Sequence, residues 1–517
     1  MHDATKQRRY RVKQGHVAII GAGPGGLAAG MLLAGQGYQV TLYEKQTYVG
    51  GRTSRLQLGE YAFDRGPTFL MYPSLLEELF QSVGRSLCDY VDLVELDPLY
   101  RLKFGDLEFT PSTDMDRTEA EIERLFPGNG AGYRRFMREE GLKFDRISPL
   151  LMRPFGKLRD YARSDVFAAL PRLNAVDSVY NRLSRYFDDE RLKYSFTFQA
   201  KYLGMSPWEC PGTFTILSYL EHRYGLYHPI GGVNQVCEAM RRVMEEYGGK
   251  VELGRGVAQV IVKNGVAAGL LLEDGERIEA DHIVVNADFA TAVHKLFDPS
   301  DLKKHKPVRV AKKKYSCSTY MLYLGLDQKI RMPHHNVLFA SDYRANVRDI
   351  MNSRVLSKDA SIYIHNPGLH DPTLAPAGKT ALYALMPVPN LTADIDWAEQ
   401  SAIVREAMLT RMELEPELRG IRGRIETEAI ITPRQWRDEH DVYLGATFNL
   451  AHTLDQMMLL RPHNRFEDVG NCWLVGGGTH PGSGLPTIFS SARISAELLM
   501  EQDRSSRRSF LRATRNS

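Results

Sequence analysis

Cysteine, long apolar runs and net charge are all scarce in this 517-residue sequence, and each shortage removes a class of protein. The five cysteines, Cys88, Cys210, Cys237, Cys317 and Cys472, are odd in number, far apart and without a CxxC pair. That spacing excludes a disulfide framework and a cysteine zinc site, and it predicts buried thiols in a reducing compartment. No stretch approaches the ~18 consecutive apolar residues of a spanning helix, so a membrane would be met from one face only. Lysine plus arginine number 66 against 63 for aspartate plus glutamate, a formal net charge of +3. Nucleic-acid binding through bulk charge is thereby excluded. Internal repeats and low-complexity tracts are missing too. The opening MHDATKQRRYRVKQG sets positive charge before HVAII, but that apolar run stops at a glycine loop with no small-residue cleavage site. An intracellular start is expected.

What is present is a globular composition, 43% hydrophobic and 25% charged. At about 100–200 residues per domain the chain holds roughly three folding units. From His16 to Lys45, HVAII reads as a buried strand, GAGPGG as a turn, LAAGMLLAGQG as a helix closing on glycine, and YQVTLYE as a second strand. A right-handed parallel crossover requires a unit of this length. Between about Pro111 and Tyr227 the pattern turns helical and rich in Arg, Tyr, Phe and Met. Val233, Val236, Cys237, Met240, Val243 and Met244 then mark one face of an amphipathic helix. Asn264-Gly265 and Asp274-Gly275 are hairpin signals, predicting a three-stranded antiparallel meander ahead of the buried strand HIVVN. From Asp301 to His463, strand-like STYMLYLGL and TALYALMPV accompany a helix near WAEQSAIVREAMLTRME. The block NCWLVGGGTHPGSGLPTIFSSARISAELL repeats strand, glycine loop, helix, with Leu485, Ile488, Phe489, Ala492 and Leu499 near one face. After Gln502 the Arg/Ser-rich composition predicts disorder.

Gly21, Gly23 and Gly26 fit GxGxxG in its confirming context, strand before and helix after. Gly21 permits the tight turn, Gly23 admits a pyrophosphate to the backbone, Gly26 lets the helix pack closely, and the helix N-terminus offers N–H groups. Glu44, 18 residues beyond Gly26, ends the second strand where a carboxylate accepts from ribose hydroxyls. Gly50, Gly51 and Arg52 follow, giving pliant backbone and a guanidinium suited to phosphate or flavin carbonyls. Gly477 and Gly478 open a second glycine loop before a helix, whose dipole suits negative charge on a reduced isoalloxazine.

The segments IIGAGPGGLAAGMLLAGQGYQVTLYEKQTYVGGR, FDRGPT, LEHRYGLYHPIGG and RPHNRFEDVGNCWLVGGGTHPGSGLPTIFSSARISA resemble, in this order, the bacterial-type phytoene desaturase family of the FAD-dependent amine-oxidase-like superfamily. The likeness runs from about Gly15 to Glu501. It implies an α/β fold: a Rossmann-like FAD-binding domain of residues 14–110, 228–300 and 464–502. An inserted α+β substrate domain, with a helical membrane-facing segment, takes 111–227 and 301–463, and flexible basic tails 1–13 and 503–517. Carried over by position, it implies FAD contacts at Gly21, Gly23, Gly26, Glu44, Gly50, Gly51, Arg52, the Val257 backbone, Gly477 and Gly478, and no metal. The implied reaction lengthens the conjugation of phytoene or diapophytoene. The implied partners are a hydrophobic polyene, oxygen or quinone as electron acceptor, and the inner face of the cell membrane, approached peripherally from the cytoplasm.

Removing two hydrogens from a saturated carbon pair needs a hydride acceptor over one carbon and a base for the other proton. Candidate bases are Glu221 and His480, then His228, each weighed against a structural role in satisfying buried hydrogen bonds. A substrate without polar handles implies selection by the length and shape of an apolar tunnel. Gly141–Leu170 interleaves apolar residues with Lys and Arg, as a membrane-surface helix or a core helix with a solvated basic face would. The tail arginines Arg504, Arg507, Arg508, Arg512 and Arg515 add positive charge. GGGTHPGSGLPTIF departs from the GAGTHPGAGIPGV expected of a phytoene desaturase, which keeps open end-group oxygenation to an aldehyde or ketone. Soluble amine oxidation on the same scaffold would want an aromatic cage beside the flavin.

Overall fold

The computed structural model describes residues 15–151, 153–156, 160, 162–164, 166 and 173–513. Short apolar runs from three distant stretches of chain make one parallel sheet, in the order Lys250–Leu253, Gln39–Glu44, His16–Ile20, His282–Val285, Cys472–Leu474. The central strand carries no alternation because both its faces are covered, and Val17, Ala18 and Ile19 are fully buried. On one face helix Pro24–Gly35 packs against helix Asn234–Glu246 and the start of helix Leu485–Ala513, through Leu27, Met31, Met240, Val243, Phe489 and Ala492. A Cβ at Gly30 would sit 2.5 Å from Met244 Sδ, so glycine sets how closely the first two helices approach. The other face meets the antiparallel meander Val257–Lys263, Val266–Leu272, Arg277–Glu279, through Val260, Leu270, Ile283 and Val285. Its first turn places Asn264 and Gly265 at φ 52° and 77°, the left-handed conformation that a two-residue hairpin demands.

A second sheet of seven strands has Ser318–Leu326 near one edge, buried at every position and paired on both sides with Thr380–Val388 and Ile425–Ile431. It continues through Ile362–His365, His335–Leu338, Arg101–Phe104 and Leu107–Phe109. Helix Trp397–Met412 covers one face, with Trp397, Met408 and Leu409 against Leu322, Leu324 and Leu382. Beside this sheet lies a helical layer including Met115–Leu125, Gly130–Leu151 and Ile216–Tyr224, with an aromatic core of Tyr133, Phe136, Phe187, Phe196 and Tyr219.

Three expectations are corrected. The chain does not loosen after Gln502: helix Leu485–Ala513 continues, because neither glycine nor proline interrupts it beyond Pro486. Asp503, within that helix, accepts from Tyr38 Oη and pairs with His282 Nε2, both at 2.9 Å. Cys88 is exposed, unlike the other four cysteines. Lys143, read as part of a basic face, is buried, donating to Thr215 Oγ1 at 2.7 Å and pairing with Glu140. The tail 1–13, part of the stretch 141–170, and Arg515 lie outside the described residues. Among the described residues no helix is long and apolar enough to cross a membrane.

Candidate active site

The first glycine loop admits no side chains where it matters. Gly21 takes φ 94° and donates to Tyr43 O at 2.8 Å, while a Cβ on Gly26 would lie 2.2 Å from Gly21 O. Asn286 Nδ2 donates to that same carbonyl at 3.0 Å, tying the loop to the strand of Ile283. Glu44 is buried at the end of its strand, where Oε2 accepts from Ala22 N (2.7 Å) and Oε1 from Gln46 N (2.9 Å). Gly50 N donates to Ala22 O at 2.7 Å, and Asn234 Nδ2 holds the Val49 and Thr53 carbonyls, so the two glycine segments close on each other. Arg52 Nη1 donates to Thr447 O at 2.7 Å. Burial draws the Arg52 pKa down, against the opposing pull of Asp288. The Asn449 amide, in the orientation that satisfies both neighbours, accepts from Arg52 and donates to Asp288.

These segments open into a cavity of about 870 Å³. Gly21, Gly23, Glu44, Gly51, Arg52, Val257, Gly477 and Gly478 line one end, whereas Gly26 and Gly50 sit behind them and shape the loops. A Cβ on Gly477 would reach 2.8 Å from the Asn449 amide, and one on Gly478 2.7 Å from Phe289 Cβ. Exposed backbone, an accepting carboxylate and a helix N-terminus fit the two phosphates and ribose of a dinucleotide. Away from the glycine loops the lining includes a wall of apolar and aromatic residues, Phe69, Phe144, Phe198, Phe214, Leu217 and Tyr363 among them.

None of the three candidate bases lines this cavity, in keeping with the structural role each was weighed against. Glu221 stands behind Leu217 and Leu220; its Oε2 accepts from Gln199 Nε2 at 2.7 Å, and burial pushes its pKa up to about 8. His480 turns away, with Nε2 3.0 Å from Arg153 O and its ring edge-on to Phe155, and burial holds it down at about 4. His228 Nε2 lies 2.9 Å from Asp371 Oδ2. Two lining imidazoles escaped sequence reasoning, His440 and His452, and His452 Nε2 accepts from Ser483 N at 3.0 Å beneath the second glycine loop. Asn286 and Asp288 were missed as well. The run VVNAD, a buried strand breaking into polar residues, carried their signal.

Residues 24–500 match the family described as flavin containing amine oxidoreductase. The 4,4'-diapophytoene desaturase (4,4'-diapolycopene-forming) of Methylomonas sp is 45% identical over 489 residues, covering 95% of this chain and 96% of that protein. A lycopene-forming phytoene desaturase of Pseudescherichia vulneris is 34% identical over 492 residues, covering 93% and 98%. Among solved structures, putrescine oxidase bound to putrescine is similar with TM-score 0.61 at 15% identity, over 95% of this chain and 99% of that one. That likeness speaks to the fold alone. Matched over nearly its whole length in sequence and sharing the glycine-loop architecture, the chain belongs to the flavin-containing amine oxidoreductases and, within them, to the bacterial-type phytoene desaturases.

Proposed function

We propose that the protein is an FAD-dependent carotenoid desaturase whose substrate is an acyclic polyene precursor of the diapophytoene type. The observation that carries this reading is the cavity itself: a glycine-lined dinucleotide cradle at one end, continuous with an apolar, aromatic wall at the other. The 45% identity to a protein named for diapophytoene favours the shorter hydrocarbon over phytoene.

FAD bound in this cradle supplies hydride acceptance at its ring system. The residues of the chain do the rest. Glu44 would accept from the ribose hydroxyls of bound FAD, and the Gly21–Gly25 backbone would hold its phosphates. Phe214, Leu217 and Phe198 align the hydrocarbon and keep water from the reacting carbons. Positive charge developing beside an existing double bond is delocalised, so alignment relieves the demand for a strong base. The substrate partitions into bilayers, and we place the enzyme at a membrane surface when it loads, with the 141–170 stretch as the contacting segment.

The test mixes purified protein, FAD and liposomes carrying diapophytoene or phytoene without oxygen, and follows flavin and polyene absorbance together. Flavin bleaching with new long-wavelength polyene bands is expected, faster with diapophytoene. Equal or faster turnover of phytoene overturns the substrate assignment. Turnover only of preformed coloured carotenoids with oxygen moves the chemistry to end-group oxygenation, and peroxide released from amines instead overturns desaturation.

A further inference from the structure

Three histidines with no ligand-like spacing meet behind the wall of the cavity. His228 lies in strand Leu226–Pro229, His334 immediately precedes strand His335–Leu338, and His365 closes strand Ile362–His365. All three are buried, and one ring nitrogen from each falls within 4.8 Å of the others. The Nε2 atoms of His334 and His365 are 3.0 Å apart. Two ligands of a tetrahedral ion with bonds of ~2.0 Å stand about 3.3 Å apart, so this pair is already near the required separation.

The surroundings are those of a ligand set. Asp371 Oδ2 lies 2.9 Å from His228 Nε2 and accepts from Gly231 N at 2.6 Å. A carboxylate holding one imidazole nitrogen as the donor fixes the tautomer and leaves the other nitrogen with its lone pair outward. That other atom, His228 Nδ1, is fully buried and has no hydrogen-bond partner. His370 Nδ1 stands 3.4 Å from His334 Nδ1, and both residues line a surface hollow of about 460 Å³ with Asp97 and Arg331, which provides an entry path. On the inner side His335 stacks on Phe69, which lines the main cavity, so the cluster is one side-chain layer from the substrate wall.

We propose that His228, His334 and His365 bind a zinc ion, with Asp371 orienting His228, and that the ion ties the Leu226–Pro229 strand to the seven-stranded sheet behind the substrate wall. Imidazole donors without thiolate suit zinc and its borderline neighbours, not calcium or magnesium. The site stands apart from the flavin cradle and does not depend on the desaturase reading.

The experiment uses the full-length, flavin-loaded protein made without a histidine tag. Elemental analysis is expected to give about one zinc per chain after gel filtration. X-ray absorption at the zinc edge is expected to give nitrogen and oxygen neighbours at ~2.0–2.1 Å with imidazole scattering. After stripping with a chelator, Co²⁺ should bind with one-to-one stoichiometry, and Zn²⁺ should restore the thermal midpoint lost on stripping. H334A and H365Q should each lower metal content at least tenfold while retaining flavin. If a variant fails to fold, the wild-type absorption spectrum decides. A wild-type protein with less than a tenth of an equivalent of metal that takes up neither Zn²⁺ nor Co²⁺ overturns the proposal, as does unchanged metal content in folded H334A and H365Q.

Discussion

The two ends of the one cavity are built by opposite rules. At the cradle, backbone groups from a few contiguous glycine segments do most of the work, and side chains are kept off the glycine loops: Gly26 has a carbonyl 2.2 Å from where its Cβ would be. At the substrate end, single side chains converge from many segments, Phe69, Phe144, Phe214 and Tyr363 among them, and no two of these are close in sequence. A backbone cradle tolerates almost nothing and concerns any ligand with phosphates. A side-chain wall tolerates substitution and decides which ligand enters.

The comparison breaks first if the cradle proves permissive. G26V is expected to leave flavin-free protein, with activity down at least 10³-fold, about 4 kcal/mol, checked by flavin absorbance after gel filtration. Flavin retained in that variant would dissolve the distinction. At the wall, L217W should keep its flavin but lose about 10–200-fold in kcat/KM on the polyene, with the loss differing between diapophytoene and phytoene. Y363F removes the hydroxyl that meets His335 Nδ1 and Thr68 Oγ1, both at 2.7 Å. Leaving those buried partners unmet costs about 1–3 kcal/mol, read as a lower denaturation midpoint with flavin content unchanged.

A further test is one of pH. Burial raises the folded Glu221 pKa to about 8, so the folded state favours the protonated carboxyl. The stabilisation this gives is fully present below the ordinary glutamate value and is lost as pH rises through about 8. E221Q keeps the shape and cannot ionise. Its thermal midpoint, plotted against pH from 5 to 9, should decline less than that of the wild type, and parallel curves would assign the ionisation elsewhere.

Legibility followed the same divide. Gly21, Gly23, Glu44 and the strand HVAII were readable because a strand, turn and helix in immediate succession leave one contiguous pattern. The Asn264-Gly265 hairpin was readable for the same reason. Glu221 stayed open between a base and a structural carboxyl because a carboxylate beside an apolar stretch is all that sequence offers. Burial against Gln199, one layer from the cavity, is a tertiary fact. Arg/Ser composition suggested a loose end after Gln502, but Tyr38 and His282 hold Asp503 from across the cofactor sheet. His452 carried no local signal at all, since its place is set by a contact with Ser483 31 residues away.

The parallel sheet places Cys472–Leu474 beside His282–Val285, and the loop that follows it forms part of the cradle. On the ribosome, the Gly21–Gly26 loop therefore waits through most of translation for its opposite wall. Pairing segments so far apart is slow, because loop closure precedes any contact that rewards it. Until then the nascent chain carries an unfinished sheet edge and an open apolar trough, the surfaces by which incompletely folded chains aggregate. Ligand that binds only the completed site draws the population forward in proportion to its free concentration. In overproducing cells, flavin supply as the sheet closes should therefore raise soluble yield.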